Sequence, residues 1–105
     1  MKVVIYERKP VDKYRNESIE EQKKKCYNYC KERDLEVVKE YCDDTNMRKE
    51  YKRMLKRCQS GKIQGIVVSN FDILAYGPIE PIVCKTYLKQ YDVKIMTVDG
   101  KLDNN

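Results

Sequence analysis

Lys2-Val3-Val4-Ile5-Tyr6-Glu7-Arg8-Lys9-Pro10 opens the chain with an apolar run that ends in a tyrosine, an arginine and a proline. Val3 to Tyr6 lack the polar–apolar alternation of a half-exposed strand, so the run fits a strand buried on both faces in the middle of a parallel sheet. The polar, Pro10-containing segment that follows reads as a loop, into which the strand delivers Tyr6 and Arg8. Next comes Ser18-Ile19-Glu20-Glu21, a capping box in which the Ser18 hydroxyl and the Glu21 carboxylate reciprocally satisfy amides at a helix start. Ile19, Cys26, Tyr29 and Cys30 share one face of that helix, which is predicted to run to about Arg33.

Leu35 to Cys42 reads as a second strand. Met47, Tyr51, Met54, Leu55 and Cys58 keep helical spacing, and Gly61 supplies a left-handed stop. Ile63 to Ser69 is a third strand, Asn70 to Gly77 a loop, and Pro78 and Pro81 begin a helix, both tolerable where first-turn amides are unpaired anyway. Val93 to Val98 is the fourth strand, and 99–105 a flexible tail. Strands alternating with helices imply an α/β fold, a three-layer α/β/α domain over residues 1–105 around a mostly parallel sheet of four to five strands. Ligands then collect beyond the carboxyl ends of the strands, at 7–16, 43–46 and 70–77.

The bulk numbers narrow the function classes. With 37% charged residues the chain could be disordered, but its 41% apolar residues fall in periodic blocks, which disordered chains lack. No apolar run suffices for a membrane span, and Met1-Lys2-Val3 leads into a strand rather than a signal-peptide core, so a cytoplasmic protein without membrane contact is expected. Five cysteines are an odd number, and Cys26 and Cys30 have no histidine to complete a metal set, so reduced, packed thiols and no metal are expected. Gly61, Gly65, Gly77 and Gly100 are scattered and form no phosphate loop, so no cofactor is expected. The net charge of +5 permits a polyanionic partner. Between Arg48 and Lys62, Arg48, Lys49, Lys52, Arg53, Lys56, Arg57 and Lys62 face a single acid, Glu50, which makes either a solvated helix face or a phosphate-facing stripe.

Three segments, in order and at matching spacing, resemble the catalytic domain of the serine recombinases: Tyr6-Glu7-Arg8-Lys9-Pro10, Ser18-Ile19-Glu20-Glu21-Gln22 and Asp72-Ile73-Leu74-Ala75-Tyr76. In that family the first strand ends in Tyr-x-Arg-x-Ser, and the serine attacks DNA to form a phosphoseryl link. Here Pro10 stands at the nucleophile position, with no Ser or Thr from residue 7 to 17. Ser18 matches the helix-opening serine of Ser-(Leu/Ile)-Glu-x-Gln, and capping explains it. Gln22 resembles a residue bordering the family's site, although by itself it reads as an exposed helix glutamine. The family's Asp-Arg-Leu-x-Arg is matched by Asp72-Ile73-Leu74-Ala75-Tyr76, so Ile73 and Tyr76 replace two arginines and Asp72 reads as a loop-capping carboxylate. Removing one guanidinium from an oxyanion-type site costs on the order of 3 kcal/mol of transition-state stabilisation.

Arg8 and Arg48 match the family's phosphate-binding arginines. Arg48 lacks the proline that follows it in the family, and Asp43-Asp44-Thr45-Asn46 shortens the loop before it with two acids that would repel a DNA strand. The resemblance therefore implies remnants, Tyr6, Arg8, Gln22 and Asp72, rather than a catalytic set. It also implies candidate phosphate contacts at Arg8 and Arg48, to which the basic helix face adds Lys49, Lys52, Arg53, Lys56 and Arg57. In the family a long dimerisation helix and a separate DNA-binding domain follow this segment, and neither is expected within these residues.

Three functions fit. The first is a stand-alone, catalytically silent recombinase-like domain linked to DNA recombination or mobile elements, acting through protein contact, as a homo-oligomer or with a recombinase-like partner. Tyr14, Tyr27, Tyr29, Tyr76, Tyr87 and Tyr91 are its candidate interface tyrosines. The alternative is a non-specific DNA- or phosphate-binding accessory protein. The second alternative is an active recombinase using Tyr6 or Tyr14 as nucleophile.

Overall fold

The computed structural model describes residues 1–10 and 17–102. Its elements run β1 (Lys2–Arg8), α1 (Ile19–Glu32), β2 (Glu36–Asp43), α2 (Lys49–Cys58), β3 (Gly65–Val68), α3 (Phe71–Leu74), α4 (Glu80–Gln90) and β4 (Lys94–Thr97). The four strands form one parallel sheet in the order β2-β1-β3-β4. β1 therefore lies inside the sheet, which is why Val3 through Arg8 are all buried. The strand order reverses between β1 and β3, so a ligand crevice is expected beyond their carboxyl ends.

Alternation along β1 divides the side chains between two layers. Val3 and Ile5 join Cys26 and Cys30 of α1 and Val67 of β3 on one face. Val4 and Tyr6 join Tyr51, Met54 and Cys58 of α2 and Cys84 and Leu88 of α4 on the other. A register shift between Val3 and Val4 lets β2 keep Tyr41 beside Tyr6 and Asp43 beside Arg8. At Gly65 the backbone passes so close to Met96 that an added Cβ would lie 2.3 Å from the Met96 methyl.

The elements depart from the sequence expectation at several places. α2 begins at Lys49, because Arg48 takes a left-handed conformation at φ 53°, and Met47, expected on the buried helix face, is 64% exposed. The expected loop 70–77 contains the short helix α3, whose Phe71, Ile73 and Leu74 are buried. α4 starts at Glu80 with Pro81 in its first turn, while Pro78 precedes the helix. All five cysteines are free, four of them buried as expected, but Cys42 is exposed because it sits on the outer strand β2. Leu102 packs against the core, and 103–105 lie outside the described residues.

Candidate functional site

The carboxyl end of β1 sends Tyr6 and Arg8 to the α2 side of the sheet and Glu7 to the α1 side. Beyond the last β1–β3 pair, and while β2 still pairs with Arg8 through Asp43, the Arg8 backbone is held by a side chain. Its N–H donates to Gln22 Oε1 at 3.0 Å, and its carbonyl accepts from Gln22 Nε2 at 2.7 Å. Gln22 Nε2 also reaches the Glu17 carbonyl at 3.1 Å. Gln22 is therefore fully buried, not an exposed helix glutamine. It ties the start of α1 to the end of β1, satisfying backbone groups that would otherwise be orphaned.

Asp43 forms the next layer. Its carboxylate accepts from Tyr6 Oη at 2.7 Å and from the amides of Glu50 and Tyr51, each at 2.9 Å. The two amides belong to the first turn of α2, whose N-cap residue Arg48 supplies no side-chain bond, so Asp43 caps the helix from the preceding strand. Of the two acids only Asp44 is exposed, so Asp43 does not face an approaching strand as expected. Tyr6 is fully buried, and burial, reinforced by the bond to Asp43, pushes its pKa far above the ordinary tyrosine range. A hydroxyl so enclosed is not presented to a phosphodiester. Tyr14 lies outside the described residues.

Arg48 is occupied within the fold. Its guanidinium pairs with Glu80, donates to the Leu74 carbonyl at 2.6 Å, and lies 3.6 Å from the Tyr51 ring centroid. Its side chain is 13% exposed. Burial, and then the charge of Arg48, lower the pKa of Arg8 from its ordinary value. The structure thus brings Arg8 and Arg48 within electrostatic reach, with Tyr6 and Asp43 between strand and helix.

The remaining expected phosphate contacts stand elsewhere. Lys49, Lys52, Arg53, Lys56 and Arg57 line the exposed side of α2, and Arg53 pairs with Glu50 at 2.9 Å. Ile73 is 5% exposed and belongs to the apolar core, whereas Tyr76 is 48% exposed. Asp72 sits in the first turn of α3 and is engaged by the fold. At the strand ends, an open depression of about 550 Å³ is lined by Arg8, Lys9, Pro10, Asp44, Thr45 and Asn46. Thr45, which the sequence reading passed over as a site residue, puts a hydroxyl there, but that oxygen accepts the Met47 amide at 3.4 Å. Tyr27 is 39% exposed, and Tyr29, Tyr87 and Tyr91 are half-buried.

On the α1 side, Glu7 is 1% exposed and adjoins Glu40, whose carboxylate meets Tyr27 Oη at 3.1 Å and Lys23 Nζ at 3.5 Å. Burial first, then Glu40, push the Glu7 pKa up to about 8. Protonated Glu7 can donate to Glu40, an economical solution for two adjoining carboxyls. Among the described residues no cluster of three His, Cys, Asp or Glu is arranged to hold a metal, and no helix is long and apolar enough to cross a membrane.

The family model for the resolvase N-terminal domain matches residues 3–105. No curated protein matches the chain. Among solved structures, a resolvase family site-specific recombinase from Streptococcus pneumoniae is similar at TM-score 0.85 and 23% identity, over 99% of this chain and 76% of that one. The N-terminal catalytic domain of TP901-1 integrase is similar at TM-score 0.81 and 17% identity, over 98% of this chain and 81% of that one. The C-terminal catalytic domain of ISC1926 TnpA, an IS607-like serine recombinase, is similar at TM-score 0.79 and 21% identity, over 99% of this chain and 71% of that one. At these identities the likeness to solved structures shows the fold.

Proposed function

Since the chain belongs to the resolvase N-terminal domain family, we propose that it is a recombinase-type domain linked to DNA recombination that does not itself cut DNA and acts through protein contact. The observation that carries this reading is Pro10, which lines the strand-end depression where the family's nucleophile is expected. Proline has no hydroxyl, and among the described residues the one hydroxyl side chain lining the depression, Thr45, accepts a backbone amide. Two further observations support it. Ile73 is turned into the core, and the Arg48 guanidinium is taken up by Glu80 and the Leu74 carbonyl. Phosphoryl transfer depends on cationic groups aimed at the reacting phosphate, and among the described residues the arginines left for that clamp are Arg8 and an engaged Arg48.

The test is to incubate the purified, nuclease-free chain with nicked duplexes and look for covalent protein–DNA adducts on denaturing gels. No adduct is expected, and a reproducible one overturns the reading. Sedimentation of the chain alone and with an active serine recombinase measures the contact directly, and a complex is the expected result.

A second reading draws on the exposed cations of α2. It treats that helix as a non-specific phosphate contact, and anisotropy at low salt checks it: binding must weaken with salt at a log–log slope of about −0.9 per neutralised phosphate. Absence of binding at low salt removes it.

A further inference from the structure

Building on the reading of a domain that works through protein contact, we propose that the channel between α2 and α4 docks an acidic amphipathic helix of a partner protein. Large apolar side chains left in solvent concentrate in one stretch, where Tyr76, Ile79, Ile82 and Val83 are 48%, 70%, 65% and 60% exposed. Ile79, Ile82 and Val83 follow an i, i+3, i+4 spacing, so they form a stripe on one side of the first turn of α4, whereas Cys84 and Leu88 carry that helix's burial. A contiguous apolar stripe of this kind marks an interaction surface, unlike scattered exposed residues.

Beside the stripe lies a depression of about 310 Å³, walled by Tyr51 and Leu55 of α2 and by Val83 and Tyr87 of α4. Arg48 and Glu80 bridge the two helices at one end. At the other, Gln59 donates to Tyr87 Oη, which donates to the Leu55 carbonyl, each at 2.8 Å. Glu80 and Tyr87 are two helical turns apart, a length of ~10 Å, so a docked helix would lay about two turns in the channel.

Charge selects the occupant. Lys49, Lys52 and Lys56 stand in a row along the α2 bank, exposed and without an acidic partner among the described residues. The channel's own acid, Glu80, is paired with Arg48. An apolar strip with one cationic bank matches a helix whose apolar anchors recur at i, i+4 and i+7 with Asp or Glu beside them. A nucleic acid duplex would meet the lysines but leave the apolar channel and stripe uncovered.

The experiment is fluorescence anisotropy of the full chain with a labelled synthetic helix of about four turns, carrying Leu at i, i+4 and i+7 and Glu on both flanks. Matched probes replace the Glu residues by Lys, or the Leu residues by Ser. The Glu–Leu probe is expected to bind at least about tenfold more tightly than either, and to lose about tenfold with K52E/K56E and with I82S/V83S. These side chains are exposed, and circular dichroism of both variants should match the parent. Equal binding of the three probes, or binding indifferent to both variants, overturns the proposal. So does self-association of the chain that I82S/V83S abolishes, which would assign the stripe to a second copy, or protection of the channel by duplex DNA. In each of those failures, a complex with a recombinase in sedimentation keeps the protein-contact reading standing. A covalent DNA adduct removes that reading instead.

Discussion

Replacing Asp43 by alanine should cost about 3 kcal/mol of folding stability, a magnitude that follows from the donors ending on one carboxylate. Tyr6 Oη and the amides of Glu50 and Tyr51 all donate to it. In D43A the buried tyrosine hydroxyl loses its acceptor, which costs ~1–3 kcal/mol. The first turn of α2 also loses its only side-chain cap, since Arg48 provides none, for a further ~1 kcal/mol. D43N keeps one acceptor oxygen and should cost about 1 kcal/mol. Y6F removes the hydroxyl that D43A would strand, so in the Y6F background the Asp43 truncation should be cheaper by about 1–2 kcal/mol. Urea denaturation followed by circular dichroism on these chains measures all the terms. Strict additivity of Y6F and D43A, or a D43A cost below about 1 kcal/mol at unchanged m-value, would refute the reasoning.

Glu7 predicts a pH dependence. Its pKa is raised from 4.5 to about 8 in the fold, so the stability it contributes is complete below pH 4.5 and is lost as pH rises through 8. On the order of 5 kcal/mol should disappear across that window in the parent chain and not in E7Q, and parallel profiles of the two would show Glu7 ionised in the fold. Pro10→Ser alone should leave nicked duplexes uncut, because Ile73 and Tyr76 still lack guanidinium groups; cleavage rescued by that one change contradicts the account. Adding Ile73→Arg places a charge among core side chains and should cost at least about 3 kcal/mol, read as a lowered urea midpoint. Gln22→Ala orphans the amide and carbonyl of Arg8 and should cost about 2–3 kcal/mol, with faster hydrogen exchange at the Arg8 amide as the local signature.

Burial made β1 and its sheet legible: a strand covered by helices on both faces has no polar positions, and Val3 to Tyr6 have none. The capping box was equally local and is met in half: Ser18 Oγ accepts the Glu21 amide at 3.1 Å, while the Glu21 carboxylate accepts from the Ser18 hydroxyl at 3.3 Å rather than from a backbone amide. Gln22 escaped because a helix glutamine normally faces water, and its burial depends on where the β1 ladder ends. Asp43 and Asp44 look alike as letters. Only the alternation of β2 against β1 turns the first inward to Tyr6 and leaves the second in solvent. Arg48 matched a phosphate ligand by motif, whereas its actual carboxylate, Glu80, is 32 residues away and invisible to any local pattern. α3 spans too few residues for periodicity to register, and the outward direction of Ile79, Ile82 and Val83 is set by how α4 packs through Cys84 and Leu88, which no local pattern carries.

The two faces of the sheet are unequally guarded. Toward α1, the helix itself inserts only Gln22, Cys26 and Cys30, while α2 and α4 together anchor the opposite side with tyrosine, methionine and leucine. Amides of α1 should therefore exchange through partial openings well below the global unfolding free energy, with the strands and α2 still protected. In such partial openings the walls of the channel between α2 and α4 should stay in place, since neither helix leans on α1.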